Sequence, residues 1–238
     1  MARLAEFDFS STNLGPNAGF HPGTRGSSVG FVDATAPYSG NRVARFVFPE
    51  GPAAGFSTGS AAPPRLPAGT VRVYFAFNWK LSPTFTLHPA NLKGWYFYKP
   101  GYQGSLVLGW MPAPGASLTT GGFILNGQPQ TSGGTPGGMR PNVPNAPVLR
   151  RDTWYRTEVL AIMNSSPAVS DGVLQVWVNG VLTINYTDVR YAEGSQLTEW
   201  RELHFDPYYG GNSPGHVIST PSFLYSDHAV MSTSTSRR

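Results

Sequence analysis

Three side chains that can carry or accept protons alternate along the segment Glu199–Asp206. Glu202, His204 and Asp206 are two residues apart, so an extended strand places all three on one face. A retaining glycosidase needs two carboxylates about 5 Å apart. Residues four apart on a regular strand are separated by roughly 13 Å. The spacing therefore disfavours glycosidase chemistry unless a bulge brings Glu202 and Asp206 together.

Elimination from a uronate sugar needs a base for the C5 proton, a Tyr-type acid for the leaving oxygen and a group that neutralises the carboxylate. His204 is the candidate base, Tyr74 a candidate acid and Arg72 a candidate carboxylate partner. Other residues of the same types could serve as acid or carboxylate partner, namely Arg45, Tyr96, Tyr98, Arg156, Gln175, Tyr208 and Tyr209. The alternative for His204 is a hydrogen-bonded strand histidine without a catalytic role.

Several predicted strands carry Arg, Tyr, Trp, His and Gln on the face opposite their apolar side chains, where a purely solvated face would be rich in Lys, Glu, Thr and Ser. Flat aromatic rings stack on sugars, and polar groups beside them bind hydroxyls and carboxylates. The alternative is that these aromatic residues are simply good strand formers. The pattern predicts a glycan-binding groove formed by Arg45, Arg72, Tyr74, Asn78, Lys80, Tyr96, Tyr98, Arg156, Gln175, Trp177, His204 and Tyr208.

The stretch from Trp154 to Tyr191 predicts three consecutive strands, the last two joined by a hairpin at Asn179-Gly180, a pair that favours a two-residue type I′ turn. No helical pattern of useful length is present. The chain as a whole predicts an all-β, two-sheet antiparallel jelly roll. Its predicted strands are Ala5–Ser10, Ser28–Asp33, Arg42–Phe48, Thr70–Leu81, Gly94–Tyr98, Ser105–Met111, Ser117–Leu125, Trp154–Met163, Val173–Val178, Val181–Thr187, Glu199–Asp206 and Phe223–Val230.

No change of composition divides the chain, so residues 1–231 are predicted to form a single domain, followed by a polar tail at 232–238. The segment 126–148 is rich in Gly and Pro and is predicted to be a long structureless loop. Loops of this length are uncommon in compact domains unless they are functional or disordered. The segment could be a lid, an arm that docks on a partner, or an inert loop.

Composition excludes several classes of protein. The 238 residues contain no Cys, which rules out disulfides and thiolate metal sites, and the formal net charge is only +4. Without a dense basic cluster or a long apolar run, no nucleic-acid or membrane partner is expected. The five His residues show no metal-ligand spacing. No cofactor is therefore expected, although a single structural calcium ion is compatible with the sequence.

Four segments, which together cover most of the chain, have a family-like pattern: RVARFVFPEGPAAG, VYFAFNWKLSPTF, TWYRTEVLAIMNSSPAVSDGVLQVWVNGVL and LHFDPYYGG. In these segments the sequence resembles the concanavalin A-like lectin and glucanase superfamily, and within it the jelly-roll polysaccharide lyases. The resemblance implies a curved jelly roll whose concave face binds carbohydrate, and it implies function only by analogy.

Two functions stay open from the sequence. The first is a non-catalytic glycan-binding or decorating module of a surface or virion assembly, such as a phage capsid or tail. The second is a lyase that cleaves an anionic uronate glycan by β-elimination. The N-terminus lacks the apolar core of a secretory signal. A glycan-directed protein of this kind is expected on a virion or on a cell surface after lysis, where segment 126–148 and the tail could contact other subunits.

Overall fold

The computed structural model describes residues 3–7, 19–22, 29–33, 37, 42–51, 56–62, 65–102, 105–129, 138–210 and 215–233. Within these ranges the chain forms fifteen β-strands and one 3₁₀ turn at Pro100–Tyr102, and no α-helix. No helix in the described residues has the length and apolar character needed to cross a membrane. The strands form two antiparallel sheets.

The first sheet contains eight strands among the described residues. Its central strand, β7 (Arg72–Leu81), lies between β11 (Tyr155–Ile162) and β15 (Ser222–Ser232), and one end of β15 also pairs with β1 (Arg3–Phe7). The spatial order of the other seven strands is β13 (Val181–Val189), β12 (Gly172–Val178), β11 (Tyr155–Ile162), β7 (Arg72–Leu81), β15 (Ser222–Ser232), β4 (Arg42–Phe48) and β3 (Val29–Asp33).

The second sheet contains seven strands by the same count. A short strand, β5 (Phe56–Ser57), pairs with one end of β14 (Glu202–Tyr209). The order of the remaining six strands is β10 (Phe123–Pro129), β9 (Ser105–Pro112), β8 (Leu92–Tyr98), β14 (Glu202–Tyr209), β6 (Gly59–Ala62) and β2 (Gly19–Pro22).

Aromatic side chains from the two sheets meet in one core. Phe75 of the first sheet contacts Trp95 of the second with ring centroids 4.1 Å apart. Similar contacts join Trp79 to Trp110 at 4.9 Å and Phe46 to Phe205 at 4.9 Å. Because these rings fill the space between the sheets, each sheet has an inner face towards the core and an outer face away from it. The predicted two-sheet jelly roll is confirmed.

The hairpin predicted at Asn179-Gly180 is present between β12 and β13. Both turn residues have positive φ, 47° at Asn179 and 80° at Gly180. A type I′ turn requires this conformation, which Asn and Gly adopt at low cost. The local sequence therefore determines this part of the fold.

Strand boundaries differ from the prediction at several places. β10 begins at Phe123 instead of Ser117, because residues 117–122 form a hydrogen-bonded turn region around the Ser117 hydroxyl. The short strands β2, β5 and β6 were not predicted, since they carry few of the β-branched residues that mark strands. Residues 8–10 and 28 of two predicted strands, and residues 234–238 of the predicted tail, lie outside the described residues.

The predicted loop 126–148 has structure over much of its length. β10 continues to Pro129, and residues 130–137 lie outside the described part of the chain. Residues 138–149, here named the strap, then run beside β10, with bridges from Met139 to Gly127 and from Leu149 to Phe123. Met139 and Leu149 are almost fully buried in the core. The prediction of a structureless loop was wrong here because the two buried apolar residues, Met139 and Leu149, are isolated in a segment rich in Gly and Pro.

The strap also contacts the first sheet. The backbone N–H of Asn142 donates to the carbonyl of Thr183, and its side chain exchanges two hydrogen bonds with the backbone of Asn185 at 2.8 and 2.7 Å. The strap thus joins β10, at the edge of the second sheet, to β13, at the edge of the first. It closes this side of the sandwich.

Candidate functional site

The twelve residues predicted to line one groove lie on two opposite outer faces. The sequence predicted correctly that they point away from the core, but they do not form a single surface. The outer face of the first sheet carries Arg45, Arg72, Tyr74, Asn78, Lys80, Arg156, Gln175 and Trp177, and the outer face of the second sheet carries Tyr96, Tyr98, His204 and Tyr208.

Several candidates on the first sheet are bound to neighbouring residues of the fold. The Tyr74 hydroxyl donates to Glu158 at 2.8 Å, and Arg156 forms an ion pair with the same carboxylate at 3.1 Å. Tyr74 and Trp177 are both buried. Gln175 donates to the side chain of Asn185. These polar side chains therefore bind neighbouring side chains of the same sheet.

The cationic side chains on this face also contact neighbouring residues, including aromatic rings. Lys80 pairs with Asp152 at 3.0 Å and lies over the rings of Trp154 and Tyr225. The guanidinium of Arg45 lies over Phe223, and Asn78 is buried. The predicted pairing of Arg72 and Tyr74 with His204 in one catalytic site is therefore not what the fold provides, since the core separates them.

The outer face of the second sheet gathers titratable groups from two neighbouring strands. We name this surface the polar face. The register of β8 and β14 places His204 opposite Tyr96, Glu202 opposite Tyr98, and Tyr208 opposite Lys93. Its residues are Lys93, Tyr96 and Tyr98 from β8 and Glu202, His204, Asp206 and Tyr208 from β14.

Register shifts occur in both strands of the polar face, and the shift in β8 determines that Lys93 reaches this face. A register shift between Lys93 and Trp95 lets Lys93 share a face with Tyr96 although the two are three residues apart. Gly94 sits in this bulge, and a Cβ there would lie 2.5 Å from the ring of Trp110. A second shift, between Phe205 and Tyr208, lies beside Asp206.

Three rings form the centre of the polar face. Tyr96 and Tyr98 are stacked, with centroids 5.9 Å apart and an interplanar angle of 10°. His204 meets Tyr98 edge-on at 5.0 Å. All three side chains are half-buried, so part of each ring remains accessible.

Carboxylates flank His204 on its own strand. Nε2 of His204 lies 3.0 Å from Oε2 of Glu202, whose other oxygen forms an ion pair with Nε of Arg65 at 3.0 Å. On the other side, Asp206 accepts a hydrogen bond from the Ser57 hydroxyl at 2.7 Å. Glu202 is thus placed to fix the orientation of the His204 ring.

The environment shifts three pKa values on the polar face. Burial raises the pKa of Asp206, while the Ser57 hydrogen bond, His204 and Lys93 oppose that rise. Burial lowers the pKa of Lys93, and Asp206 opposes that fall. Burial, with smaller contributions from Asp206, Tyr98 and Tyr208, raises the pKa of Tyr96 well above its ordinary value, so its phenol stays protonated.

The polar face therefore combines the imidazole of His204, the protonated phenol of Tyr96 and the amino group of Lys93 within neighbouring strand positions. Lys93 also lies over the ring of Tyr208 at 5.7 Å. At the edge of the same sheet, Oε1 of Gln128 in β10 accepts a hydrogen bond from Nδ2 of Asn91 at 3.2 Å. A base, a proton donor and a cation on one surface are the groups required for acid–base chemistry on a bound anion.

Lys93 was missing from the sequence prediction. Strict alternation assigns it to the side of Trp95 and Phe97, which is the core side. The available signal was Gly94, because a glycine inside a strand often marks a bulge that changes the alternation. Arg65 was missed as well, since it lies outside any strand.

No group of three or more His, Cys, Asp or Glu side chains that could hold a metal ion occurs among the residues described by the structure. The carboxylates of the polar face are instead bound to Arg65, His204 and Ser57. The sequence was compatible with one structural calcium ion, but the described ranges contain no cluster of carboxylates that could bind it.

Neither a protein-family model nor a curated protein sequence matches the chain. Solved structures do match its fold. A marine alginate lyase from Aplysia kurodai superposes with a TM-score of 0.66 and 12% identity, covering 98% of this chain and 100% of the lyase. An endo-β-1,4-glucuronan lyase from the fungus Trichoderma reesei gives 0.64 and 13%, covering 98% and 96%.

A carbohydrate esterase from a Shiga toxin-encoding bacteriophage, phi24B, also matches, with a TM-score of 0.57 and 10% identity over 97% of each chain. At these identities the similarity concerns the fold alone. The resemblance predicted from the sequence is confirmed at that level: the chain has the jelly-roll fold found in alginate and glucuronan lyases.

Proposed function

We propose that this protein is a polysaccharide lyase that cleaves a uronate-containing glycan by β-elimination on the polar face. The observation that carries the proposal is the pairing of His204 with Tyr96 on adjacent strands, with Lys93 on the same surface. The fold shared with alginate and glucuronan lyases supports it.

In the proposed reaction His204 acts as the general base and removes the C5 proton of the uronate. The electron pair of the C5–H bond forms a C4=C5 double bond as the C4–O bond breaks. Tyr96 donates its hydroxyl proton to the departing glycosidic oxygen. The products are a glycan with a new hydroxyl end and a glycan that ends in an unsaturated uronate.

Tyr96 suits the role of acid because its pKa is raised by burial and by nearby Asp206. A phenol that stays protonated keeps its proton available for the leaving group. Tyr98 stacks on Tyr96 and contacts the edge of His204, which holds both rings in place. The stacked pair also offers flat surface to a sugar ring.

Lys93 supplies the positive charge that a uronate carboxylate requires. Removal of the C5 proton places negative charge on that carboxylate, and a nearby ammonium stabilises it. The side chain is half-buried, where a charge interaction is stronger than in bulk water. Glu202 and Arg65 form the outer part of the arrangement and position His204.

Hydrolysis by the two carboxylates fits the geometry less well. One oxygen of Glu202 is bound to Arg65 and the other to His204, while Asp206 is bound to Ser57. A glycosidase nucleophile must instead direct an oxygen at the sugar. Elimination uses these carboxylates only as orienting groups.

The experiment is incubation of the purified protein with alginate, glucuronan and glycosaminoglycans, followed by mass spectrometry of the products. Elimination gives fragments that are lighter by one water than the hydrolysis products, because one end carries the double bond. Fragments with the mass of hydrolysis products would overturn the lyase assignment in favour of a glycosidase.

A second candidate is a non-catalytic glycan-binding module on a viral particle or a cell surface. The stacked Tyr96–Tyr98 pair favours it, since such a platform binds sugars without any chemistry. The fold shared with a bacteriophage esterase is compatible with a viral setting. Measurable binding of one glycan, with no fragments of either mass, would select this candidate.

A further inference from the structure

A cavity of about 620 Å³ lies at one end of the sandwich, large enough for a sugar ring. It is bounded by the loop after β7, the connection between β9 and β10, and the segment before β11. It shares no lining residue with the polar face. Its side-chain lining includes Pro83, Thr119, Thr120, Val148, Arg150 and Asp152.

Arg151 holds the wall of this cavity in place. Its guanidinium donates hydrogen bonds to the backbone carbonyls of Phe85, Leu118 and Gly121, which belong to two different loops. It also lies over the ring of Phe123. Because carbonyl oxygens carry no net charge, these bonds order the wall and leave a positive charge beside the cavity.

Arg150 presents a second positive charge to the cavity from a fixed backbone. Its N–H donates to the Tyr155 hydroxyl at 2.8 Å, and its neighbour Leu149 is anchored in the core. The Arg150 side chain is exposed, and no acidic side chain in the described part of the chain forms an ion pair with it.

The remaining polar groups suit a ligand that carries hydroxyls and one negative charge. Thr119 and Thr120 also line the cavity, and their hydroxyls are each hydrogen-bonded to the Ser117 hydroxyl at 3.2 Å. Asp152 is the one carboxylate among the lining residues, and it pairs with Lys80 at 3.0 Å. The lining of the cavity thus combines two arginines with two threonine hydroxyls.

We propose that this cavity binds an acidic sugar residue, with the carboxylate on Arg150 and the ring hydroxyls on Thr119 and Thr120. It would form a glycan subsite separate from the polar face. The proposal rests on the proposed function only for the identity of the ligand as a uronate, and it does not require that the polar face be catalytic.

The test is a titration of the ¹⁵N-labelled protein with sodium glucuronate, monitored by the backbone amide signals of residues 119–122. Glucose and sodium chloride at equal ionic strength serve as ligand controls. We expect saturable shifts with glucuronate alone, and a dissociation constant raised roughly tenfold in Arg150→Gln, which loses a charge-assisted pair. Arg190→Gln, an exposed arginine after β13, should bind like the wild type.

The proposal is overturned if glucuronate produces no saturable shift at these amides, if glucose binds equally well, or if Arg150→Gln binds as the wild type does. The amide spectrum of each variant also reports whether it is folded. A wild type that binds glucuronate here but yields no glycan fragments would remove the proposed lyase function and leave this subsite standing. Glycan fragments of the elimination mass without saturable amide shifts would remove this subsite and leave the proposed lyase function standing.

Discussion

His204 and Tyr96 lie directly opposite each other on β14 and β8, on the outer face of the second sheet. Their Cα atoms are paired by backbone register, so the relationship between base and acid is set by the sheet and not by a mobile loop. Sites built on strands hold their geometry more closely than sites built on loops.

The first prediction concerns the proton donor. Tyr96→Phe removes the hydroxyl and keeps the ring, so sugar stacking is retained while protonation of the leaving oxygen is lost. We expect kcat on the best uronate glycan to fall by roughly 10²–10⁴-fold, with a small change in KM. Tyr225→Phe, on the outer face of the first sheet, is the matched control. A Tyr96→Phe variant with wild-type kcat would remove Tyr96 from the mechanism.

The second prediction concerns the pH dependence of Lys93. Activity that needs the ammonium form declines as pH rises through the pKa of Lys93. Asp206 raises that pKa against the effect of burial. Asp206→Asn should therefore shift the alkaline limb of the kcat/KM profile to lower pH, because the neighbouring negative charge is gone. Asp188→Asn, on an exposed residue of β13, should leave the limb in place. A shift to higher pH in Asp206→Asn would contradict the role of Lys93.

The third prediction concerns stability and Lys99. This side chain is buried and donates to the carbonyl of Tyr191 and to Gln196, and burial lowers its pKa to about 8 from 10.5. The unfolded chain binds more protons than the folded chain between these values, so this group makes the protein more stable as pH rises.

Urea denaturation at pH 8 and pH 9.5 measures this effect. The wild type should gain roughly 1–2 kcal/mol more unfolding free energy over this interval than Lys99→Met. This interval lies below the ordinary tyrosine pKa, so phenols contribute little. Equal pH dependence in the two proteins would show that Lys99 titrates with its ordinary pKa in the folded state.

The fourth prediction concerns the strap. Asn142 makes three hydrogen bonds to β13, one from its backbone and two from its side chain. Asn142→Ala removes the two side-chain bonds and should lower the unfolding free energy by roughly 1–2 kcal/mol. Thr187→Ala, an exposed position on the same strand, is the control. If both variants lose the same small amount of unfolding free energy, the strap does not hold the two sheets together through Asn142.

The strand pattern predicted the inner and outer faces of individual strands well. Phe75, Phe77 and Trp79 were predicted to share one apolar face of their strand, and all three are buried in the core. Alternation follows from the backbone of a single strand, so it can be read locally. Which strands share a sheet depends on pairing between distant segments. That is why the predicted groove combined Arg72 with His204, although the core separates them.

The rest of the site depends on irregularities that alternation cannot describe. Lys93 joins the polar face only because the bulge at Gly94 changes the phase of β8. The strap was predicted as loop because Met139 and Leu149 are isolated apolar residues among Gly, Pro and Asn. Their partners on β10 are supplied by the tertiary fold.

The central claim is that elimination takes place on the polar face of the second sheet. The most direct measurement is the initial rate of absorbance increase from the unsaturated uronate, with alginate, glucuronan and glycosaminoglycans as substrates. The wild type should produce this absorbance on at least one of them. His204→Ala should lose at least about a hundredfold in rate, and Arg72→Ala, on the opposite face, should match the wild type. No absorbance on any of these glycans, or loss of rate in Arg72→Ala with full rate in His204→Ala, would contradict the account.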